Sequence, residues 1–275
     1  MAWSKEQYVS SYEDLVYNNR RITSDALESV LAAVDRYKLF ILDELVDSPG
    51  NNELLSRLSV VYDASKELEN KYVNILSRAS SELHSTVDDR ILDMLRSSNV
   101  NIPSFIGMTE FRLEVIALKQ QTLAHSLTSE FADKLAREIQ SLVLSGMTEN
   151  TVENIAATLH SKLNFSSIYS RARAIAITEL GSIGNAVAQH GIYEAQQYSE
   201  NVIATWKHSL LVTTEARPAH LALDGSWVRK DEKFNVNGHY CNGPHDPNLP
   251  ASEVVNCGCF VIPDVLVDDV PFGGV

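Results

Sequence analysis

The chain has 275 residues, more than most single domains, so two structural units are the default expectation. Its apolar content of 44% and charged content of 21% are ordinary for a globular protein, and no apolar run is long enough to cross a bilayer. A net charge of −13 argues against a protein that coats nucleic acid through its overall field, because such binding relies on Lys and Arg at the phosphates.

The distribution of proline divides the chain into two parts. Only Pro49 and Pro103 occur before residue 200, whereas the other six of the eight prolines follow it. Because proline breaks helices, this distribution predicts a helical first part and a loop-rich second part. The N-terminus lacks the apolar core of a signal peptide, so we expect a soluble protein made in the cytoplasm, without membrane contact.

Apolar residues recur at spacings of three, four and seven through the first part, which predicts amphipathic helices. Ser48-Pro49-Gly50 and Gly146 are stop signals, residues 98–108 read as a loop, and Thr148 is a plausible N-cap. The predicted helices span residues 5–19, 23–47, 51–97, 109–144, 149–162 and about 167–199. The two longest favour an elongated helical arm or bundle over a helical ligand pocket.

The pattern of the second part predicts a small α+β module. Together with the helical first part, this gives a fold class of α+β, mainly α. Residues 201–209 read as a strand, and 213–225 as one or two helical turns that close at Gly225. Residues 234–250 read as irregular, and 253–265 return to strand. This module has little apolar material of its own, so we expect it to need a further source of stability, either a metal ion or docking against a larger body.

Thiol and imidazole side chains crowd this module and could supply the four ligands of a structural zinc site. The candidates are Cys241, Cys257 and Cys259, with one of His220, His239 or His245. We prefer His220, because it lies on the short ordered segment before Gly225. The Cys-x-Cys spacing differs from the C-x₂-C of zinc fingers, but Gly258 allows a kink through which both sulfurs could approach one ion. Reduced cysteines packed in a core, or a disulfide from Cys241 to one of the pair, stay open.

Motifs for enzymatic chemistry are missing from the sequence. It contains no deaminase H-x-E with P-C-x-x-C, no H-E-x-x-H, no P-loop and no G-x-S-x-G elbow. A loose set could imitate a metal-dependent nuclease or a toxin-like enzyme, namely His220, His239 and His245 with Asp224 and Asn256. Scattered His and Asp residues produce such matches often, so we expect a non-enzymatic protein.

Glu179 lies on the apolar stripe of the last long helix. A buried carboxylate needs a partner, and Arg217 is the one we favour. A half-exposed glutamate at the edge of the stripe is the alternative. Either way, the sequence favours a structural role for Glu179 over general-base chemistry.

Six features between about residue 150 and residue 263 resemble the phage head morphogenesis family, the minor head proteins similar to protein F of phage Mu. They are Arg173, Glu179 and Asn185 on the last long helix; Trp206; Arg217 and His220 with Asp224-Gly225; Gly243-Pro244; Asp246-Pro247; and Asn256-Cys257-Gly258-Cys259. Gly258 stands where the family usually has arginine, and Glu215 only approximates an acidic position before Arg217.

The resemblance implies a virion structural protein of a tailed phage, which joins the head near the portal during assembly. It implies the portal protein and the major capsid or scaffolding protein as partners, with viral DNA contacted locally and no small-molecule substrate. Some relatives influence DNA packaging or ejection. The implied organisation is a helical arm over residues 1–147, the family module over 148–265, and a C-terminal tail over 266–275.

Overall fold

The computed structural model describes residues 4–46, 58–98, 100, 110–144, 165–208 and 217–273. Four long helices precede the strands: α1 (Lys5–Val46), α2 (Leu58–Ser97), α3 (Glu110–Leu144) and α4 (Phe165–Ala195). Short elements follow: β1 (Val202–Lys207), α5 (Pro218–Ala222), β2 (Trp227–Val228), β3 (Phe234–Val236), β4 (His239–Cys241), α6 (Ala251–Val254), β5 (Phe260–Val267) and β6 (Val270–Pro271). The predicted fold class, α+β and mainly α, is confirmed. No helix within the described ranges could span a membrane.

The predicted break between helices 5–19 and 23–47 is wrong, because α1 runs through it without interruption. Arg20 and Arg21 are good helix formers, and Ile22 is buried seven residues after the buried Leu15. The apolar stripe therefore continues across the expected junction. The predicted loop at 98–108 falls largely outside the described residues, and the predicted helix at 149–162 falls wholly outside them.

The chain separates into two compact units that do not follow its order. The helical unit comprises residues 26–77 and 117–174, and the sheet unit comprises 1–25, 78–116 and 175–275. Each long helix thus contributes to both units. The predicted boundary between residues 147 and 148 lies outside the described residues and stays a prediction.

Buried side chains at helical spacing hold the helical unit together. Val30, Leu68 and Leu135 are almost fully buried, and each such side chain contributes about 1.5–3 kcal/mol. Buried tyrosines add directional contacts, because the Tyr72 hydroxyl donates to the carbonyl of Ala172 at 2.8 Å. The unit therefore combines an apolar core with a few satisfied polar groups.

An antiparallel sheet of order β2-β1-β5-β6 lies in the sheet unit. β1 pairs with β5 along its whole length, from Val202 opposite Val265 to Lys207 opposite Phe260. All six residues of β1 are buried, so both faces of this strand are covered. In the core of the unit, Trp206 and other buried residues of this sheet pack with apolar residues of α1, α2 and α4.

Three segments of the second part differ in secondary structure from their prediction. Residues 234–241 form a hairpin of β3 and β4 rather than an irregular loop, turning at Asn237 and Gly238, which both have positive φ. Asn-Gly is the preferred pair for such a turn. Residues 253–265 are a strand only from Phe260, because α6 and a turn precede it. Residues 266–273, which the sequence assigns to a tail, complete β5 and return as β6.

Candidate metal centre

Three predicted ligands converge near the start of β5. His220 on α5 and Cys257 and Cys259 in the turn before β5 are buried, and their ligand atoms lie within 4.8 Å of one another. The Nδ1 atom of His220 is 3.4 Å from the sulfur of Cys257 and 3.5 Å from the sulfur of Cys259. Among the described residues, this is the group of His, Cys and acidic side chains arranged closely enough to hold a metal ion.

The turn that presents the two thiols depends on Asn256, not on Gly258. Asn256 has a φ of 57°, whereas Gly258 has no positive φ, so the kink predicted at the glycine lies two residues earlier. Asparagine tolerates this left-handed conformation better than most residues. The backbone N–H of Asn256 donates to the Thr178 hydroxyl at 3.0 Å, and the N–H of Cys259 donates to the Cys257 sulfur at 3.4 Å.

Asn185 on α4 fixes the chain on the strand side of the thiols. Its amide donates to the carbonyl of Cys259 at 3.0 Å, and its oxygen accepts from the N–H of Val261 at 3.0 Å. β6 pairs only with residues 266 and 267 of β5, so this side of residues 259–261 has no neighbouring strand in the sheet. The Asn185 side chain supplies there the hydrogen bonds that a strand would otherwise make.

His245 supports the turn from the other side with both of its ring nitrogens. Nε2 is 3.0 Å from the carbonyl of Cys257, and Nδ1 is 3.1 Å from the Ser182 hydroxyl. A Cβ on Gly181 would come within 2.8 Å of His245 Nε2, so the glycine makes room for the imidazole. Engaged at both nitrogens, His245 is not placed to be a metal ligand.

Glu253 orients His220. Its Oε2 is 2.9 Å from His220 Nε2, and its Oε1 accepts from the amide of Asn237 at 3.0 Å. The Asn237 hydrogen bond, together with His220, lowers the pKa of Glu253. With Nε2–H directed at the carboxylate, Nδ1 presents its lone pair to the two sulfurs, as in carboxylate–histidine–metal arrangements.

The two thiols of the turn differ in their acidity. A hydrogen bond from Cys259, assisted by His220 and His245, lowers the pKa of Cys257. The same hydrogen bond, together with burial, raises the pKa of Cys259. Cys257 is therefore the more acidic thiol of the pair.

His208, which sequence reasoning missed, lies at the edge of this group. Its Nδ1 is 3.6 Å from the Cys259 sulfur, and its backbone N–H donates to Asp224 Oδ1 at 2.8 Å. The buried Nε2 atom of its ring has no hydrogen-bond partner among the described residues. The available signal was its position at the end of β1, two residues after Trp206.

Cys241, the fourth predicted zinc ligand, is not part of this group among the described residues. It is buried in the apolar core opposite Phe234, and burial raises the pKa of its thiol to about 11. His239 lies exposed on the same strand, β4. All three cysteines are free, so the alternative of a disulfide from Cys241 is wrong.

The other motif residues surround the group. Trp206 is fully buried with its ring edge-on to His220 at 5.5 Å, and Arg217 donates to the carbonyl of Val255 at 2.6 Å. Gly225, with a φ of 77°, closes the turn after α5, and its N–H donates to the Trp206 carbonyl at 2.9 Å. These contacts tie α5, β1 and the cysteine turn together.

Glu179 is 3% exposed, so its interpretation as a half-exposed edge residue is wrong. Its pairing with Arg217 stays a prediction. Arg173 lies half-buried two turns earlier on α4.

Comparisons with known proteins find relatives over about half of the chain. An NAD(+)–arginine ADP-ribosyltransferase EFV of Enterococcus faecalis is 31% identical over 134 residues, which are 48% of this chain and 26% of that protein. An uncharacterized protein YqbB of Bacillus subtilis is 34% identical over 132 residues, or 46% of this chain and 42% of that protein. The chain thus matches less than half the length of either relative. No solved structure matches it significantly.

A family model matches a region of nearly the same length. It begins within α3 and ends within β5, and it contains His208, His220, Cys257 and Cys259 together with the motif residues around them. Residues 133–262 match the family described as Phage Mu protein F like protein, which confirms the resemblance predicted from the sequence.

Proposed function

We propose that this protein is a structural minor head protein of a tailed bacteriophage, located at the portal vertex or in the capsid interior and acting in head assembly. The family match over residues 133–262 carries the proposal. The long helices α1 to α4 support it, because they make up most of the described chain and bury extended apolar stripes, as expected of a structural protein.

The portal protein is the proposed main partner, with the major capsid or scaffolding protein as a second. A net charge of −13 favours protein contacts over extensive contact with packaged DNA, since like charges repel. We therefore propose that any contact with viral DNA during packaging or ejection is local, and that no small molecule is turned over.

Deletion of the gene in a phage that encodes the protein tests the proposal. We expect few infectious particles, aberrant or unfilled heads by electron microscopy, and rescue by the wild-type gene in trans. Mass spectrometry of purified wild-type heads should detect the protein, and co-expression with the portal protein of the same phage should allow both to be purified together. Normal infectious heads without the protein would refute an assembly role.

An enzymatic function is the alternative, and the arrangement of the described residues gives it little support. The predicted nuclease set does not converge, because His245 is engaged at both nitrogens, His239 is exposed on β4 and Asp224 binds the backbone of His208. The activity in the name of the Enterococcus relative belongs to a protein of which the shared region is only 26%.

A direct assay separates the two functions. Purified protein is incubated with plasmid DNA and divalent metals, and separately with NAD⁺ and an arginine acceptor. We expect neither DNA cleavage nor NAD⁺ consumption. Cleavage that disappears in His220→Ala would favour the nuclease and overturn the structural assignment.

A further inference from the structure

We propose that the sheet unit binds one zinc ion through Nδ1 of His208, Nδ1 of His220 and the sulfurs of Cys257 and Cys259, as a closed structural site. This site differs from the set predicted by sequence spacing, because His208 replaces Cys241. It is also independent of the role in head assembly.

The distances match the separation of ligands around a tetrahedral ion. Zinc–sulfur bonds of about 2.3 Å and zinc–nitrogen bonds of about 2.0–2.1 Å at a tetrahedral angle place N and S about 3.6 Å apart. The separations between His220 Nδ1 and the two sulfurs are 3.4 and 3.5 Å, and that between His208 Nδ1 and the Cys259 sulfur is 3.6 Å. Hydrogen-bonded thiols and imidazoles can also show such values, but here three ligand atoms lie within 4.8 Å of one another.

His208 is the best placed fourth ligand among the described histidines and cysteines near the group. His208 lies outside the group of three whose ligand atoms are all within 4.8 Å of one another, but Asp224 holds its backbone at the end of β1 and its Nδ1 contacts the Cys259 sulfur, so a change of its side-chain rotamer would complete the set. The competing side chains are committed elsewhere: His245 by two hydrogen bonds, Cys241 by burial opposite Phe234, and His239 by its exposed position.

The chemistry of the ligands favours zinc over magnesium or calcium. Thiolate and imidazole donors select zinc, whereas magnesium and calcium prefer oxygen. His220, Cys257 and Cys259 are 2–3% exposed, which leaves little access for a substrate and is typical of a structural site. Glu253 behind His220 and the N–H of Cys259 on the Cys257 sulfur supply the second shell that such sites use.

Metal analysis of the full-length chain tests the site. The protein is purified under reducing conditions with zinc supplied during expression, and its metal content and X-ray absorption spectrum are measured. We expect about one zinc per chain, with two sulfur ligands at about 2.3 Å and two nitrogen ligands at about 2.0–2.1 Å. Less than about 0.2 equivalents in protein that is folded by circular dichroism would overturn the proposal.

Cobalt(II) titration then tests the role of His208. Cobalt(II) should give the visible absorption of a tetrahedral thiolate site in the wild type. His208→Ala should weaken zinc binding by at least the roughly 10–100-fold that loss of a second-shell partner costs, and should alter the cobalt spectrum. Cys241→Ala and His239→Ala are the matched controls and should bind as the wild type does.

Two results would contradict the assigned ligands. Wild-type affinity and an unchanged cobalt spectrum in His208→Ala would exclude that histidine. Loss of zinc in folded Cys241→Ala would restore the set predicted from sequence spacing. If Cys257→Ala or Cys259→Ala fails to fold, the cobalt and X-ray absorption spectra of the wild type still decide whether sulfur binds the metal.

Discussion

Replacing Asn185 with alanine should destabilise the sheet unit far more than an ordinary polar substitution on a helix. Asn185 is 1% exposed and bridges α4 to the start of β5. Alanine can neither donate to the carbonyl of Cys259 nor accept from the N–H of Val261. Both backbone groups are buried, and in the sheet this side of them has no strand to take over.

The size of the effect follows from those two groups. Each buried backbone group left without a partner costs about 1–3 kcal/mol, so the pair costs about 2–6 kcal/mol. The amide also donates to the Gly181 carbonyl at 2.9 Å, but that bond lies within α4, whose carbonyls have helical partners. A loss at the upper end would remove a large part of the roughly 5–15 kcal/mol that stabilises a typical protein.

Urea unfolding, followed by tryptophan fluorescence in the presence of a chelator, measures this loss. Trp206 and Trp227 both lie in the sheet unit, so the signal reports on the unit that contains Asn185. Gln189→Ala is the matched control, because Gln189 lies one turn later on α4 and donates a single half-buried bond to Pro244. We expect the control to lose about 1 kcal/mol or less. Equal losses in the two variants would refute the role of Asn185 as a substitute strand.

Gly181→Ala should lower the melting temperature, because its Cβ would lie 2.8 Å from His245 Nε2 and would push that ring from the Cys257 carbonyl; an unchanged value by calorimetry would contradict this contact. Burial raises the pKa of Tyr37 from 10.0 to about 12, so the stability it contributes is present below pH 10 and lost as the pH rises towards 12. Urea unfolding at pH 8 and pH 11 should therefore show a smaller loss in Tyr37→Phe than in the wild type. Arg171 and Glu130 form an exposed ion pair, so Arg171→Ala should cost less than about 1 kcal/mol and even less in high salt; a larger loss would show that the pair is not merely a surface contact.

The helices could be predicted because their signal is long and periodic. Leu68, Leu83 and Ile91 repeat over many turns, and the same residues are buried in the structure. Helix ends and breaks rest on a few residues, and there the sequence misleads: it placed a break near Arg20, where α1 is continuous. The Asn237-Gly238 turn was readable, since that pair is a strong hairpin signal, but the surrounding Gly, Pro and Asn residues obscured the short strands.

The candidate metal centre could be predicted only in part. Cys257 and Cys259 are close in sequence, and His220 belongs to a recognisable motif, so these three were within reach. His208 was not, because only the pairing of β1 with β5 brings the end of β1 to the cysteine turn, with Lys207 opposite Phe260. Cys241 was predicted as a ligand, but the pairing of β4 with β3 sets it opposite Phe234, and its thiol therefore lies in apolar surroundings.

Motif residues and their sequence neighbours bind the backbone of the cysteine turn, residues 255–261. Arg217 binds the carbonyl of Val255, Thr178 accepts from the N–H of Asn256, and Asn185 binds the backbone of residues 259 and 261. His245 takes the carbonyl of Cys257. Four side chains from distant parts of the sequence thus bind the backbone of five of the seven residues 255–261, more than a loop needs in order to connect α6 to β5. Such restraint is what the proposed zinc site requires, because its two sulfur ligands must be held at a fixed separation.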